Sequence, residues 1–420
     1  MKTGKNKFFM LMPCIILLIG FLCSSVQPAW ASSGPFPVTT DQIPGWPQAP
    51  EIVETTGVLI EDSTNTILYN KGMHERMYPA STTKVLSALV AIENSDLSEE
   101  VVFTETGTAE VTWESANIGM QVGEILTMEQ CLYAMMLASA NEVSTQVAEH
   151  VGGSVEQFVE MMNEKARELG CEDSHFANAN GWHNEDHYTS AYDMALILQA
   201  AIKNETFLTI SGTRSYTIPP TNMNGEARNL HNHHAMIVKG HYYYKGVFAG
   251  KTGSTDEAGN TLLTACKKKG VVLICMVMQS QEAAVVDDTA KLFDYGYKKF
   301  RKLQMTDPGL TEEGGYAYVP KGVSEQDVTS QDTPQEDLVF SQYLYQDVPV
   351  GTALAATPEP TPVPDTSTEE LSKEQETAGD ASSEKGGSHL ISYVIMGVLA
   401  LLILLGLSLI IKIICKTKKH

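Results

Sequence analysis

The sequence predicts an α/β chain of the α+β type. Its expected parts are one antiparallel sheet flanked by helices, an inserted helical subdomain, a small β-rich appendage and one C-terminal transmembrane helix. Three observations carry this. Runs rich in β-formers stand at 58–69 and again at 261–278, while the residues between them repeat apolar positions at helical spacing. The later run is a hairpin pattern, two β-rich segments separated by Lys267-Lys268-Lys269-Gly270. Leu390 to Ile411 is a run of 22 residues without formal charge, long enough to cross a bilayer.

Taken in order, the first element is an expected secretory signal at 1–31. Lys2, Lys5 and Lys7 make a basic start, Phe8 to Cys23 is nearly unbroken apolar sequence, and Ala29-Trp30-Ala31 fits a small-x-small cleavage site. An uncleaved anchor is the competing reading, disfavoured by the short apolar run and the cleavage pattern after it. A domain at 32–302 follows, opening with a Pro-rich lead to about Pro50. Val58 to Glu61 and Thr66 to Tyr69 read as strands around the turn Asp62-Ser63-Thr64-Asn65. Ser81 to Ile92, Met128 to Leu137, Val155 to Leu169 and Ala191 to Ile202 read as helices, the third with Ser154 and Gln157 as a capping box and Gly170 past its end. Thr261 to Ala265 and Val271 to Met278 are the hairpin strands, and Ala283 to Phe300 is a final amphipathic helix. First and last strands with helices between them predict a sheet closed by the two ends of the domain.

Beyond 302 the pattern weakens. Tyr316-Ala317-Tyr318-Val319 and Leu344-Tyr345 mark the appendage at 303–355. Residues 356–388 are rich in Thr, Pro, Glu and Ser without apolar periodicity and are expected to be a disordered tether. As a random coil such a segment reaches roughly 30 Å, and about 100 Å fully extended. The span at 389–411 is followed by a 412–420 tail with Lys412, Lys416, Lys418 and Lys419, and a basic flank marks the cytoplasmic side. The expected topology is a catalytic domain outside the cell and a short tail inside.

Charge narrows the partners. With the three signal lysines and four tail lysines set aside, 22 of the 29 basic residues face all 51 acidic ones, a balance near −29. That argues against nucleic acid or an anionic surface as a partner held by charge. Of seven cysteines, Cys14 and Cys23 fall in the signal and Cys415 at the inner membrane face. Cys131, Cys171, Cys266 and Cys275 remain, without metal-ligand spacing; nothing in their spacing demands a disulfide, and none is excluded.

Three short motifs carry the chemistry. In Ser81-Thr82-Thr83-Lys84, preceded by Pro79-Ala80, the serine and lysine sit at i and i+3 and share a helix face. A serine hydroxyl needs a base to become a nucleophile, and a lysine serves once burial or a nearby cation lowers its pKa. Alone, the pair is more often a helix cap with a surface lysine. Ser139-Ala140-Asn141 closes one helix and begins another; its hydroxyl suits proton relay, and its amide suits holding a lysine and a substrate carbonyl. Ser115-Ala116-Asn117 has the same letters but lies in a polar loop, where Ser and Asn are ordinary turn residues. In Lys251-Thr252-Gly253 a strand offers charge and hydroxyl to a substrate carboxylate, and Gly253 lets a substrate backbone lie close.

The trio, with Gly181, His187-Tyr188-Thr189-Ser190-Ala191-Tyr192-Asp193 and Lys251-Thr252-Gly253-Ser254, resembles the low-molecular-weight penicillin-binding proteins, the serine-type D-Ala-D-Ala carboxypeptidases of peptidase family S11. The resemblance runs from about Val53 to Phe300. It implies a β-lactamase/transpeptidase-like fold, Ser81 as the acylated serine, Lys84 as base, and Ser139 with Asn141 completing the proton network. It further implies Lys251 as the carboxylate anchor and the backbone N–H groups of Ser81 and Ser254 as oxyanion hole. The implied substrates are peptidoglycan stem peptides, with β-lactam antibiotics as covalent inhibitors and no cofactor or metal. The family usually carries a long β-rich second domain and an amphipathic anchor; here about 50 residues and a full span stand in their place.

Two other functions remain to be weighed. A class A β-lactamase needs a loop glutamate in a Glu-x-x-Leu-Asn pattern, and neither Glu172 nor Glu185 begins one. A β-lactam sensor needs a signalling domain, and the expected inner tail is too short for one. His231, His233 and His234 lack further ligands at metal spacing and read as a loop beside the cleft, with Asn232 as a candidate substrate contact. Trp182 and His183 read equally well as pocket lining or as plain loop residues.

Overall fold

A computed structural model of the chain describes residues 39–280, 284–306, 315–335 and 338–355. The expected signal at 1–31, tether at 356–388, span at 389–411 and tail at 412–420 lie outside them. Among the described residues no helix is long and apolar enough to cross a membrane.

The chain opens with β1 (Thr56–Glu61), β2 (Thr66–Lys71), α1 (Lys84–Asn94), β3 (Glu100–Val102), α2 (Glu105–Thr108) and β4 (Ile125–Thr127). A helical block follows: α3 (Met128–Leu137), α4 (Asn141–Gly152), α5 (Val155–Glu168), α6 (Ala191–Ala201) and α7 (Glu205–Gly212). Then come the short pair β5 (Ser215–Ile218) and β6 (Arg228–His231), and the long strands β7 (Val247–Thr255), β8 (Gly259–Lys268) and β9 (Val271–Ser280). The described chain ends with α8 (Val285–Lys299), β10 (Phe300–Gln304), β11 (Tyr316–Pro320), β12 (Thr329–Gln335), β13 (Leu338–Tyr345) and β14 (Val348–Ala355).

The main sheet has the order β2-β1-β9-β8-β7, antiparallel throughout. β1 lies beside β9, with Val58 opposite Met276 and Ile60 opposite Ile274, so the two ends of the domain close the sheet as the strand pattern predicts. Side chains alternate faces along a strand. Val58, Ile60, Ile274 and Met276 therefore join the helical core, while Leu59, Leu273, Cys275 and Val277 join a second core on the opposite face. Both faces are covered, which is why β1 and β9 read as continuous apolar runs.

Helix α1 crosses the first core with Lys84 through Ala91 all buried, as expected of a helix apolar nearly all round. Helix α8 covers the second core through Leu292, Phe293 and Tyr295. Residues of 303–355 pack into that same core: Trp46, Phe300, Tyr318, Tyr343, Tyr345 and Val350 meet there, with the Trp46 and Phe300 rings 5.3 Å apart. The four cysteines at 131, 171, 266 and 275 are buried and free.

Candidate active site

The helix predicted from Ser81 begins at Lys84. Before it, Ala80–Thr83 forms a single 3-10 turn, and Ala80 has a φ of +50°, a left-handed conformation unusual for a residue with a Cβ. The 3-10 turn stacks residues three apart directly over one another. Ser81 thus stands over Lys84 more squarely than an α-helix would place it. Thr82 Oγ1 donates to Pro79 O at 2.7 Å and Thr83 Oγ1 to Ala80 O at 2.8 Å, tying the turn to itself.

Lys84 is fully buried, whereas Ser81 is half-buried. Its Nζ lies 3.0 Å from Ser81 Oγ, 2.7 Å from Asn141 Oδ1 and 2.5 Å from the Asn180 carbonyl. Burial, reinforced by the charge of Lys251, holds its pKa well below the usual lysine range, against the opposing pull of Glu142 and Glu110. A neutral amine has two N–H bonds and one lone pair. Were it neutral, Lys84 would give its two N–H bonds to the Asn141 and Asn180 oxygens, which have no protons to give, and turn its lone pair toward the Ser81 hydroxyl. The arrangement is one in which a neutral Lys84 could accept the serine proton.

Ser139 sits in the corner between α3 and α4 with φ +61°, a second left-handed residue at the site. Such conformations persist where surrounding structure over-determines them, and they cluster at functional sites. The corner aims Asn141 at Lys84 and Ser139 at β7, where Lys251 Nζ donates to Ser139 Oγ at 3.1 Å and to Thr252 O at 3.0 Å. Burial pushes Lys251 down to about 7. Ser115 and Asn117 of the look-alike motif bond locally to Glu110, Thr112 and Ser115 carbonyls. That loop still meets the corner, since Asn141 N donates to Ala116 O at 2.8 Å and Ile118 N to Glu142 Oε1 at 2.7 Å.

Strand β7 is an edge of the sheet, so Thr252, Gly253 and Ser254 border the cleft on a strand with one unpaired side. An extended peptide can add to such an edge. Gly253 has a structural part beside the one its sequence suggests. A Cβ there would lie 2.4 Å from Thr261 Oγ1, 2.9 Å from Pro79 O and 3.0 Å from Ser81 N, so the neighbouring strand and the serine turn both need the missing side chain. Ser254 is exposed on the same strand. The structure therefore gathers two hydrogen-bonded groups at one place, Ser81–Lys84–Asn141 and Ser139–Lys251, linked through the α3–α4 corner, with Thr252, Gly253 and Ser254 alongside.

Asn232 is corrected. It is buried, and its amide donates to Ser211 O at 3.0 Å and Thr213 O at 2.8 Å while accepting from His234 N at 2.9 Å. Both N–H bonds of its amide and one acceptor site of its oxygen serve the loop backbone. His234 is buried against Thr264, and no metal-binding cluster occurs among the described residues. Trp182 is exposed; His183 stacks edge-on against Tyr78, and its Nδ1 lies 3.9 Å from Glu257. A cavity of about 260 Å³ bordered by Tyr78, Glu185 and Glu257 adjoins this end of the serine turn without containing Ser81.

Three contributors escape a motif search: the Asn180 carbonyl, which is backbone, and the buried pair Thr83 and His187. The only sequence signal for them was their place in or beside the matched stretches at Ser81-Thr82-Thr83-Lys84, Gly181 and His187–Asp193.

Comparison with known proteins accords with this geometry. Residues 45–282 match the profile of peptidase family S11, D-alanyl-D-alanine carboxypeptidase. The chain belongs to that family. The D-alanyl-D-alanine carboxypeptidase DacF of Bacillus subtilis is 32% identical over 249 residues, 58% of this chain and 62% of its own length. The chain thus spans less than two thirds of that relative. A D-alanyl-D-alanine carboxypeptidase of Streptomyces is 29% identical over 262 residues, 59% of this chain and 88% of that protein. Among solved structures, the Streptomyces K15 DD-transpeptidase is similar with a TM-score of 0.56 at 28% identity, covering 60% of this chain and 100% of that one. The D-alanyl-D-alanine carboxypeptidase of Mycobacterium tuberculosis is similar with a TM-score of 0.56 at 27% identity, covering 64% and 97%. The S11 match ends before α8, so β10–β14 lie beyond it.

Proposed function

We propose that this S11 protein is a serine-type carboxypeptidase that removes the terminal D-alanine from peptidoglycan pentapeptides and is acylated by β-lactams. The observation that carries the reading is the buried Lys84 amine 3.0 Å from Ser81 Oγ, with a second buried lysine close enough to depress its pKa. Ser81 Oγ attacks the penultimate D-alanine carbonyl while its proton passes to Lys84 Nζ. The tetrahedral oxyanion is met by the backbone N–H groups of Ser81 and Ser254. The peptide C–N bond breaks, and the leaving amine takes its proton through Ser139 Oγ. Water then hydrolyses the Ser81 ester, with Lys84 as base. The terminal carboxylate is held by Lys251 and Thr252, and Asn141 orients Lys84 and the substrate carbonyl.

The ends of the chain complete the proposal. A signal at 1–31 exports the protein, the helix at 389–411 anchors it with the 412–420 tail inside, and the 356–388 tether holds the enzyme near its wall substrate. Detergent-solubilised full-length protein is expected to release D-alanine from diacetyl-L-Lys-D-Ala-D-Ala and to gain one benzylpenicilloyl adduct on the Ser81 peptide. Ser81→Ala should lose both. An adduct on another residue, or rapid turnover of benzylpenicillin, would overturn the assignment.

A further inference from the structure

His187 is 1% exposed and contacts the serine turn through one hydroxyl. Its Nδ1 lies 2.9 Å from the Ala177 backbone nitrogen, and a backbone N–H can only donate, so Nδ1 accepts. Its Nε2 lies 2.8 Å from Thr83 Oγ1. A neutral imidazole carries one proton, which is then on Nε2 and is donated to Thr83. Thr83 has one proton of its own and gives it to Ala80 O at 2.8 Å. The result is a one-way chain, Ala177 N–H to His187 to Thr83 to the Ala80 carbonyl. Burial keeps the ring neutral, with its pKa pushed down to about 3.

The chain ends on the left-handed residue before Ser81. Ala80 O and Ser81 N–H belong to one planar trans peptide and point in opposite directions. Gly181 packs over this peptide so closely that a Cβ would lie 2.0 Å from Ala80 O and 3.0 Å from Ser81 N. β7 approaches it as well, since a Cβ on Gly253 would come 3.0 Å from Ser81 N. The two glycine backbones confine the peptide, and the confinement fixes where the Ser81 N–H points.

We propose that His187, acting through Thr83, is a positioning residue that fixes the Ala80–Ser81 peptide so that the Ser81 N–H meets the developing oxyanion. The proposal rests on acylation at Ser81. An oxyanion donor contributes more in the transition state than in the ground state, so its misplacement appears in the acylation step and leaves initial binding alone.

The test uses the detergent-solubilised full-length protein and resolves β-lactam acylation into the binding constant and the first-order acylation rate. His187→Leu and Thr83→Val are each expected to slow acylation about 10- to 100-fold with binding unchanged. His187→Gln, whose amide nitrogen can replace Nε2–H, and Thr83→Ser are expected to recover to within about threefold of wild type. The double variant should be no slower than either single one, because both remove one chain. The pH profile should keep its shape in every variant. A His187→Gln protein with wild-type melting temperature but the rate of His187→Leu would overturn the proposal. So would a loss confined to binding, or a shifted pH profile, which would make His187 a modulator of Lys84. If wild-type protein is not acylated, the reading of Ser81 fails by itself. The relay is then judged by imidazole 15N spectra: an Nε2–H tautomer unchanged from pH 8 to 5 supports it, and an Nδ1–H or protonated ring rejects it.

Discussion

Lys84 Nζ and Asn141 Oδ1 lie 2.7 Å apart across 57 residues of sequence, joining the serine turn to the α3–α4 corner. This bond decides how the lysine can act. With the Asn180 carbonyl it would occupy the N–H bonds of a neutral amine and turn the lone pair toward Ser81. The first prediction concerns that geometry. Lys84→Met, which keeps the side-chain volume, should lower the acylation rate about 10²- to 10⁴-fold, and Asn141→Ala about 10- to 100-fold. Quenched-flow mass spectrometry of the penicilloyl adduct measures both; a variant of Lys84 that acylates at the wild-type rate would remove it as base.

The two lysines predict opposite limbs of a pH profile. Lys84 must be neutral to act, so acylation rises as pH climbs through its depressed pKa. Lys251 must be charged to hold a carboxylate and titrates near 7, so kcat/KM for peptides falls above that. The limbs belong to the coupled pair rather than to either lysine alone. A substrate with an amidated C-terminus should lose the alkaline limb and keep the acid one. Persistence of the alkaline limb with that substrate would count against Lys251 as carboxylate anchor.

The same titrations act on stability, with a definite sign. Folding lowers the pKa of Lys251 from 10.5 to about 7. Between those values the unfolded chain binds a proton that the folded one does not, so stability rises with pH across that window. Below about 7 both states are protonated, and the full cost of burying the charge remains. Lys251→Met should flatten the rise in melting temperature between pH 7 and 10. An unchanged slope would place the effect elsewhere.

Gly181 has φ +85°, and its backbone leaves no room for a Cβ beside Ala80 O. Gly181→Ala is therefore expected to disturb the serine turn and abolish acylation, at a stability cost of about 2–4 kcal/mol. The corresponding change at Gly225, where nothing lies within 4 Å, should be silent in both thermal melts and acylation assays.

The appendage shares a core with the catalytic domain. Trp46 packs against Phe300 and Tyr345, and its indole N–H donates to Leu68 O at 3.0 Å. Trp46→Ala should cost about 3–5 kcal/mol. A chain stopped after residue 302 should expose the same surface and melt lower or aggregate, as calorimetry and light scattering can show. A truncated chain as stable as the full one would mean that β11–β14 add nothing to the core.

Much of this was legible in the sequence because its causes are local. Runs of β-formers around turns marked β1, β8 and β9; helical periodicity, with a capping residue for α5, gave α3, α5 and α6 to within a residue. The three motifs named Ser81, Lys84, Ser139, Asn141 and Lys251 by spacing and residue type. The misses share a different cause. The start of α1 was placed three residues early because a left-handed Ala80 is held by Thr83, His187 and Gly181, none of them its immediate neighbours. Asn232 looked free because its partners Ser211 and Thr213 arrive from another element.

The sequence by itself determined the strands and helices, the trio of motifs and the kind of chemistry they serve, since propensity, periodicity and side-chain type are properties of short segments. Tertiary structure alone decided which atoms meet. Lys84 is a buried amine with a lowered pKa rather than a surface charge only because α4, the Asn180 loop and β7 close around it. Gly253 has no room for a side chain only because β7 packs between Thr261 and the Ser81 turn. Burial and hydrogen bonding across 57 to 112 residues of sequence set the protonation of the lysines, and no local pattern encodes it.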